Sequence, residues 1–357
     1  MNSMDDLLRV TPNGLYCQAG DFYVDPNRPV RRAVVTHAHT DHARWGCRHY
    51  LAAEPSEQLL RMRMNDDAEF QFLPYGESLS IGSVDVSFHP AGHILGSAQV
   101  RLEHKGCIAV VTGDYKLGKD PTCDRWEPVR CHLLVTESTF GLPIYRWPDW
   151  QSEMDSINQW WRTARDQGKC CVLYGYAVGK SQSLLAGLDA GIGPIYTHGA
   201  VEKGTDAYRR TGVKLPPTKY VGSIEGNHDY KGGMVVAVPS AHGTPWMRKF
   251  GRVSTAMASG WMAVRGARRR RSMDRGFVIS DHVDWRSLLT AIEQCEPETV
   301  WVTHGYTEAV ARYLNENGRH AIAMGARSRT ESDEDAPSDL GEFSKDGPDV
   351  PETRETS

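Results

Sequence analysis

The chain has 357 residues, enough for two to three domains at about 150 residues each. Hydrophobic residues make up 40% of it and charged residues 24%, which excludes a disordered, collagenous or coiled-coil protein. The formal net charge of −4 argues, as an average, against an anionic partner such as nucleic acid.

In chain order, Met1–Val10 has neither a basic start nor a long apolar stretch, so no secretory leader is expected. Short apolar runs bounded by turn residues then dominate up to about residue 140. Arg32–Thr36, Val84–Phe88, Ala98–Leu102, Cys107–Thr112 and Leu133–Thr136 predict buried strands. From about 150 the pattern changes. Trp150–Gln167 predicts a helix, Cys170–Gly175 a strand, Ser181–Ala190 a helix after the Gly179-Lys180 turn, and Val235–Pro239 a strand. This alternation predicts a separate α/β unit with a parallel sheet. Phe277–Ser280 then predicts a strand, and Trp285, Leu288, Leu289 and Ile292 share one helix face. Thr299–Thr303 predicts a strand ending at His304.

Residues 326–357 contain ten acidic and four basic side chains, with Pro337, Pro348, Pro351 and almost no apolar residue. Such a segment cannot offset its ordering entropy, and a disordered acidic tail is expected. Without it, residues 1–325 carry a net charge of +2, so the average no longer counts against an anionic substrate. No apolar window is long enough for a spanning helix, so no membrane partner is expected. The eight cysteines, with no C-x-x-C pair, read as reduced thiols of a cytoplasmic protein.

The strongest chemical signal is Thr36-His37-Ala38-His39-Thr40-Asp41-His42, directly after an apolar run. Three imidazoles and a carboxylate leaving one strand end can present ligands in two directions, which suits two adjacent zinc ions. His37 and His39 would serve one ion, Asp41 and His42 the other. Further ligands are available at later strand ends: His93 in a Gly-flanked turn, Asp114 in Thr-Gly-Asp-Tyr, and His304 before Gly305. With Asp114 shared, these residues complete two four-ligand sets.

In this order, the His37–His42 motif, His93 and Asp114 resemble the metallo-β-lactamase fold, an αββα sandwich with two zinc ions at one sheet edge. Thr136-Glu137-Ser138-Thr139-Phe140-Gly141 resembles motif A of the β-CASP nucleases. Ser280-Asp281-His282-Val283-Asp284 resembles motif B, and Val302-Thr303-His304-Gly305 resembles motif C. The expected fold is therefore α/β, an αββα metallo-β-lactamase sandwich with an inserted β-CASP α/β domain. Residues 1–149 and 276–325 would form the sandwich, 150–275 the insert, and 326–357 the tail.

The resemblance implies a zinc-dependent phosphodiesterase, with manganese as an alternative metal. His37, His39, His93 and Asp114 would hold one ion; Asp41, His42, Asp114 and His304 the other. Asp41, Glu137 and His282 are the expected catalytic side chains, with His282 as general acid oriented by Glu137. Lys180, Arg265, Arg268, Arg269, Arg270 and Arg271 are candidate contacts to backbone phosphates. Leu142-Pro143-Ile144-Tyr145, the Trp285 after motif B and Tyr306-Thr307 after motif C resemble the bacterial ligase-associated DNA exonucleases. That implies DNA as substrate, with an ATP-dependent DNA ligase and a helicase as partners in repair. RNA is the alternative, since a motif C histidine is usual in RNA-processing members. A thioesterase or lactonase would lack motifs A and B, and a non-catalytic nucleic-acid scaffold would not need the full ligand set.

Overall fold

The computed structural model describes residues 4, 7–64, 67–264 and 273–325. The acidic tail 326–357 and the run Arg265, Arg268, Arg269, Arg270 and Arg271 lie outside the described residues. The described chain is a mixed α/β protein with three sheets.

Six strands build the first sheet in sequence order: β1 (Arg9–Thr11), β2 (Gly14–Cys17), β3 (Phe22–Val24), β4 (Arg32–Val35), β5 (His49–Ala53) and β6 (Glu69–Leu73). The pairs from β3 to β6 are parallel. Helix α1 (Glu57–Arg63) connects β5 to β6. The second sheet begins with β7 (Ser78–Ile81), β8 (Val84–Pro90), β9 (Ala98–His104), β10 (Cys107–Val111) and β11 (Leu133–Ser138).

After helix α2 (Trp150–Asp166), the chain builds a third, wholly parallel sheet. Its strands are β12 (Cys170–Tyr174), β13 (Ile195–Thr197), β14 (Lys219–Tyr220), β15 (Met234–Ala237), β16 (Val253–Ala258) and β17 (Arg275–Phe277), in spatial order β14-β13-β15-β12-β16-β17. Helices α3 (Lys180–Gly187) and α4 (Gly199–Arg210) are its crossovers. The chain then passes through α5 (Trp285–Cys295), β18 (Thr299–Gly305), α6 (Thr307–Glu316) and β19 (His320–Ala323). The last two strands rejoin the second sheet beside β11, giving β19-β18-β11-β10-β9-β8-β7.

Burial follows from the alternation of apolar side chains. Val24, Val34 and Leu51 of the first sheet share one core with Val86, Phe88, Val100, Ala109 and Val135 of the second. On its other face the first sheet packs Ala33, Val35 and Tyr50 with Leu59 and Leu60 of α1. The second sheet packs Val110, Leu134 and Val302 with Leu288 and Ile292 of α5 and Leu314 of α6. Strands β8, β10, β11 and β18 run in the same direction, so their carboxyl ends meet at one edge of the second sheet.

Two elements differ from the sequence reading. Helix α3 ends at Gly187 rather than Ala190, because Leu188 turns to an extended conformation. The strand expected at Phe277–Ser280 is instead β17, Arg275–Phe277, paired with β16 of the third sheet. The Val278 amide donates to Glu153 Oε2 at 2.8 Å, which draws the chain off the sheet. Helix α4 escaped the periodicity reading because its buried face is Val201, Gly204, Thr205, Ala207 and Tyr208, mostly small or polar.

Candidate metal centre

The metal-type side chains converge where strands stop. His37, His39, Asp41 and His42 occupy the loop after β4; His93 follows β8, and Asp114 follows β10. Glu137 lies in β11 and His304 in β18. Gly113 permits the turn into Asp114: its φ is +57°, and a Cβ there would lie within 2.5 Å of Thr36 Oγ1. His304 is delivered by a β-bulge, since β18 inserts it between the Glu137–Thr303 and Ser138–Gly305 pairs. Its φ of +54° lies in the left-handed region, a conformation held locally by the Ser138 hydroxyl donating to its carbonyl.

His37, His39, His93 and Asp114 bring ligand atoms within 4.8 Å of one another, as do His42, Asp114 and His304. In the first set, His39 Nδ1 lies 3.2 Å from His37 Nε2 and 3.1 Å from His93 Nε2. Asp114 Oδ2 lies 3.6 and 3.9 Å from those Nε2 atoms. Tetrahedral zinc with bonds of about 2.0–2.2 Å sets neighbouring ligand atoms about 3.3–3.6 Å apart, close to this spacing. In the second set, His42 Nε2 is 3.4 Å from Asp114 Oδ2 and 3.6 Å from Asp41 Oδ2, with Asp41 half-buried at the rim. The His42 Nε2 is buried and has no hydrogen-bond partner among the described residues, as expected of an atom reserved for an ion.

The surrounding bonds fix which nitrogen each imidazole offers. His42 Nδ1 donates to Asp25 Oδ2 at 2.7 Å, and Thr36 donates to both Asp25 oxygens, from its amide at 2.8 Å and its hydroxyl at 2.6 Å. His37 Nδ1 then donates to the Thr36 hydroxyl at 3.1 Å. His39 Nε2 donates to the Val178 carbonyl at 3.1 Å, and His93 Nδ1 to the Asp281 carbonyl at 3.0 Å. For His37, His39 and His93 the opposite nitrogen faces the cluster with its lone pair, the arrangement metal-ligating histidines require, while His42 turns Nε2 into the cluster carrying a proton that an ion would displace.

Electrostatics agree. Burial lowers His37 and His93 well below the usual imidazole range and His39 to about 4, so all three are neutral at neutral pH. Burial also disfavours charge on His42, but the Asp114 and Asp25 carboxylates outweigh it and push it up to about 10. Burial would raise Asp114, yet His42 and His282 outweigh it and hold the carboxyl well below its usual range.

Beside the second set stands His282, whose Nδ1 lies 2.9 and 3.0 Å from the two Glu137 oxygens and 4.0 Å from Asp114 Oδ2. Glu137 also accepts the Tyr115 amide at 2.9 Å. Lys180, the candidate phosphate contact, is buried and its Nζ is 2.7 Å from Asp281 Oδ1, an ion pair that braces the motif B loop. His242, half-buried against Tyr174, belongs to neither set.

Asp25 was missed: an aspartate after a short strand carries no spacing signal linking it to His42. Asp25→Ala is expected to weaken zinc binding about 10–100-fold while leaving the fold intact, measured by competition with a chromophoric chelator. Wild-type affinity in that variant would remove Asp25 from the site.

No family profile matches the chain. It is 32% identical over 323 residues to a protein named probable DNA ligase from Opitutus terrae, covering 89% of this chain and 31% of that one. It is 28% identical over 182 residues to cleavage and polyadenylation specificity factor 73 of Drosophila melanogaster, covering 49% and 26%. An RNase J-like protein of Methanocaldococcus jannaschii is 26% identical over 226 residues, covering 55% and 53%. The last two relatives are β-CASP metallo-β-lactamase nucleases, and the chain is similar to them.

The chain spans about a third of the length of the ligase-named relative and about half of the RNase J-like one. A crystal structure of a protein of unknown function from Enterococcus faecalis superimposes with a TM-score of 0.57 at 11% identity, covering 82% of this chain and 78% of that one. At that identity the likeness is one of fold. Among the described residues, no helix is long and apolar enough to cross a membrane.

Proposed function

We propose that the chain is a metal-dependent DNA exonuclease. The observation that carries this reading is the pair of ligand sets joined at Asp114, with the Glu137–His282 pair at their edge. We read residues 1–149 and 276–325 as an αββα sandwich and 150–275 as a β-CASP insert. The return of β18 and β19 to the sheet of β7–β11 supports that division.

His37, His39, His93 and Asp114 would hold one zinc ion, and Asp41, His42, Asp114 and His304 a second, with manganese as the alternative. Such ions supply Lewis acidity, making a nucleophilic water more acidic and neutralising charge on the phosphate. Asp41, the rim carboxylate, can accept the proton that the attacking water releases. As the water oxygen bonds to phosphorus, the bond to the leaving sugar oxygen breaks. His282 delivers a proton to that oxygen from Nε2, and Glu137 keeps Nδ1 protonated and the ring oriented. The products are a phosphomonoester and an alcohol.

DNA is favoured because the match to the ligase-named relative spans most of the chain, whereas the two relatives named for RNA work match about half. The same match supports action beside an ATP-dependent DNA ligase, with a helicase as a further partner, in a cytoplasmic repair setting. RNA processing is the second reading, favoured by His304 in motif C and by those relatives' names. Purified full-length protein should shorten end-labelled DNA in the presence of zinc or manganese. Incubation with 5′- and 3′-labelled DNA and RNA of matched sequence gives substrate and polarity together. Degradation of RNA alone would replace the DNA reading with the second one.

A further inference from the structure

Trp147 lies in the loop after β11. Its indole Nε1 donates to the His282 carbonyl at 2.8 Å, and its backbone amide donates to Asp284 Oδ2 at 3.0 Å. The other Asp284 oxygen accepts the Ser287 amide at 2.8 Å and caps α5. The indole stands edge-on to buried Phe140, with centroids 4.8 Å apart and planes at 84°. Phe140 in turn lies 6.0 Å from the His282 ring. Glu137, which grips the ring of His282, comes from the strand leading into this same loop. One continuous segment, 137–147, therefore holds His282 twice: the ring through Glu137 and the backbone through Trp147.

We propose that Trp147 is a positioning residue for the proton donor, fixing the His282 backbone so that Nε2 meets the leaving oxygen. The inference rests on the reading of His282 as general acid. Proton transfer needs donor and acceptor heavy atoms within about 2.6–3.2 Å, and misplacement by about 1 Å costs roughly a hundredfold. The Ser280 hydroxyl accepts the His282 amide at 3.1 Å, and the indole N–H holds the carbonyl at the other end of the residue, so the backbone is anchored on both sides of the ring.

A purely structural tryptophan would affect every substrate alike, so the test uses leaving-group chemistry. An alkoxide must be protonated as it departs, whereas p-nitrophenolate departs without help. Full-length wild type, Trp147→Phe and His282→Ala are compared on DNA and on bis(p-nitrophenyl) phosphate, with metal content and melting temperature measured for each. Trp147→Phe keeps an aromatic ring and removes the N–H. It is expected to lower kcat on DNA roughly fivefold, with KM and metal content near wild type and a clearly smaller loss on the aryl ester. If the phenylalanine variant is unstable, benzothienylalanine at 147, which lacks only the N–H, provides the same comparison. Equal losses on both substrates, or no loss on DNA, would overturn the positioning role. Equal losses in His282→Ala would instead overturn the proton-donor reading itself, and the role of Trp147 with it.

Discussion

Asp114→Ala is expected to strip the chain of most bound metal and to lower turnover by about a thousandfold or more. The carboxylate is buried, and its Oδ2 lies 3.6, 3.4 and 3.9 Å from ligand nitrogens of His37, His42 and His93. It is the one negative charge common to both ligand sets. Removing it leaves each set a ligand short, and the first set with imidazoles alone to face a cation. Metal assistance is worth several kcal/mol, and each 1.36 kcal/mol is about tenfold in rate. Elemental analysis after desalting, with circular dichroism to verify folding, makes the measurement. A full metal complement together with normal turnover would dissolve the shared-ligand arrangement.

The same charge sets a pH dependence. In metal-stripped wild type, His42 keeps its proton up to about pH 10 because Asp114 and Asp25 outweigh burial. Zinc must displace that proton, so apparent zinc affinity should rise with pH through the neutral range. Its folded-state value lies above the ordinary imidazole value, so the proton stabilises the stripped fold below about pH 6.5. That contribution is lost as pH climbs toward 10.

The ligand loop, His93, Asp114 and His304 were legible in the sequence for one physical reason. Each is a metal-type side chain placed directly after, or in a bulge at the end of, a short apolar strand, and strand polarity brings such ends to one edge. Asp25 was not legible, because its partner His42 is close only after β3 and β4 pair in parallel. The burial of Lys180 was not legible for a related reason: it depends on Asp281, far along the chain, arriving as counter-charge. Elements whose buried faces are small or polar, such as α4, fell below the threshold of hydrophobic periodicity.

His282→Ala should give the reverse pattern to Asp114→Ala: full metal content and a loss of about 10²- to 10⁴-fold in turnover on DNA. The geometry makes this a sharp distinction, because Asp114, Glu137 and His282 also lie close enough together to hold an ion. Were His282 a ligand, its removal would release metal. Yet its Nδ1 is 2.9 and 3.0 Å from the two Glu137 oxygens, distances of hydrogen bonds to a carboxylate. That pairing uses Nδ1, so Nε2 is the nitrogen assigned to proton delivery. Glu137→Gln should then weaken turnover less than His282→Ala, since the amide oxygen still accepts from Nδ1 but no longer favours the charged imidazole. Loss of metal in His282→Ala would move this histidine from proton donor to ligand, and with it the identity of the group that protonates the leaving oxygen.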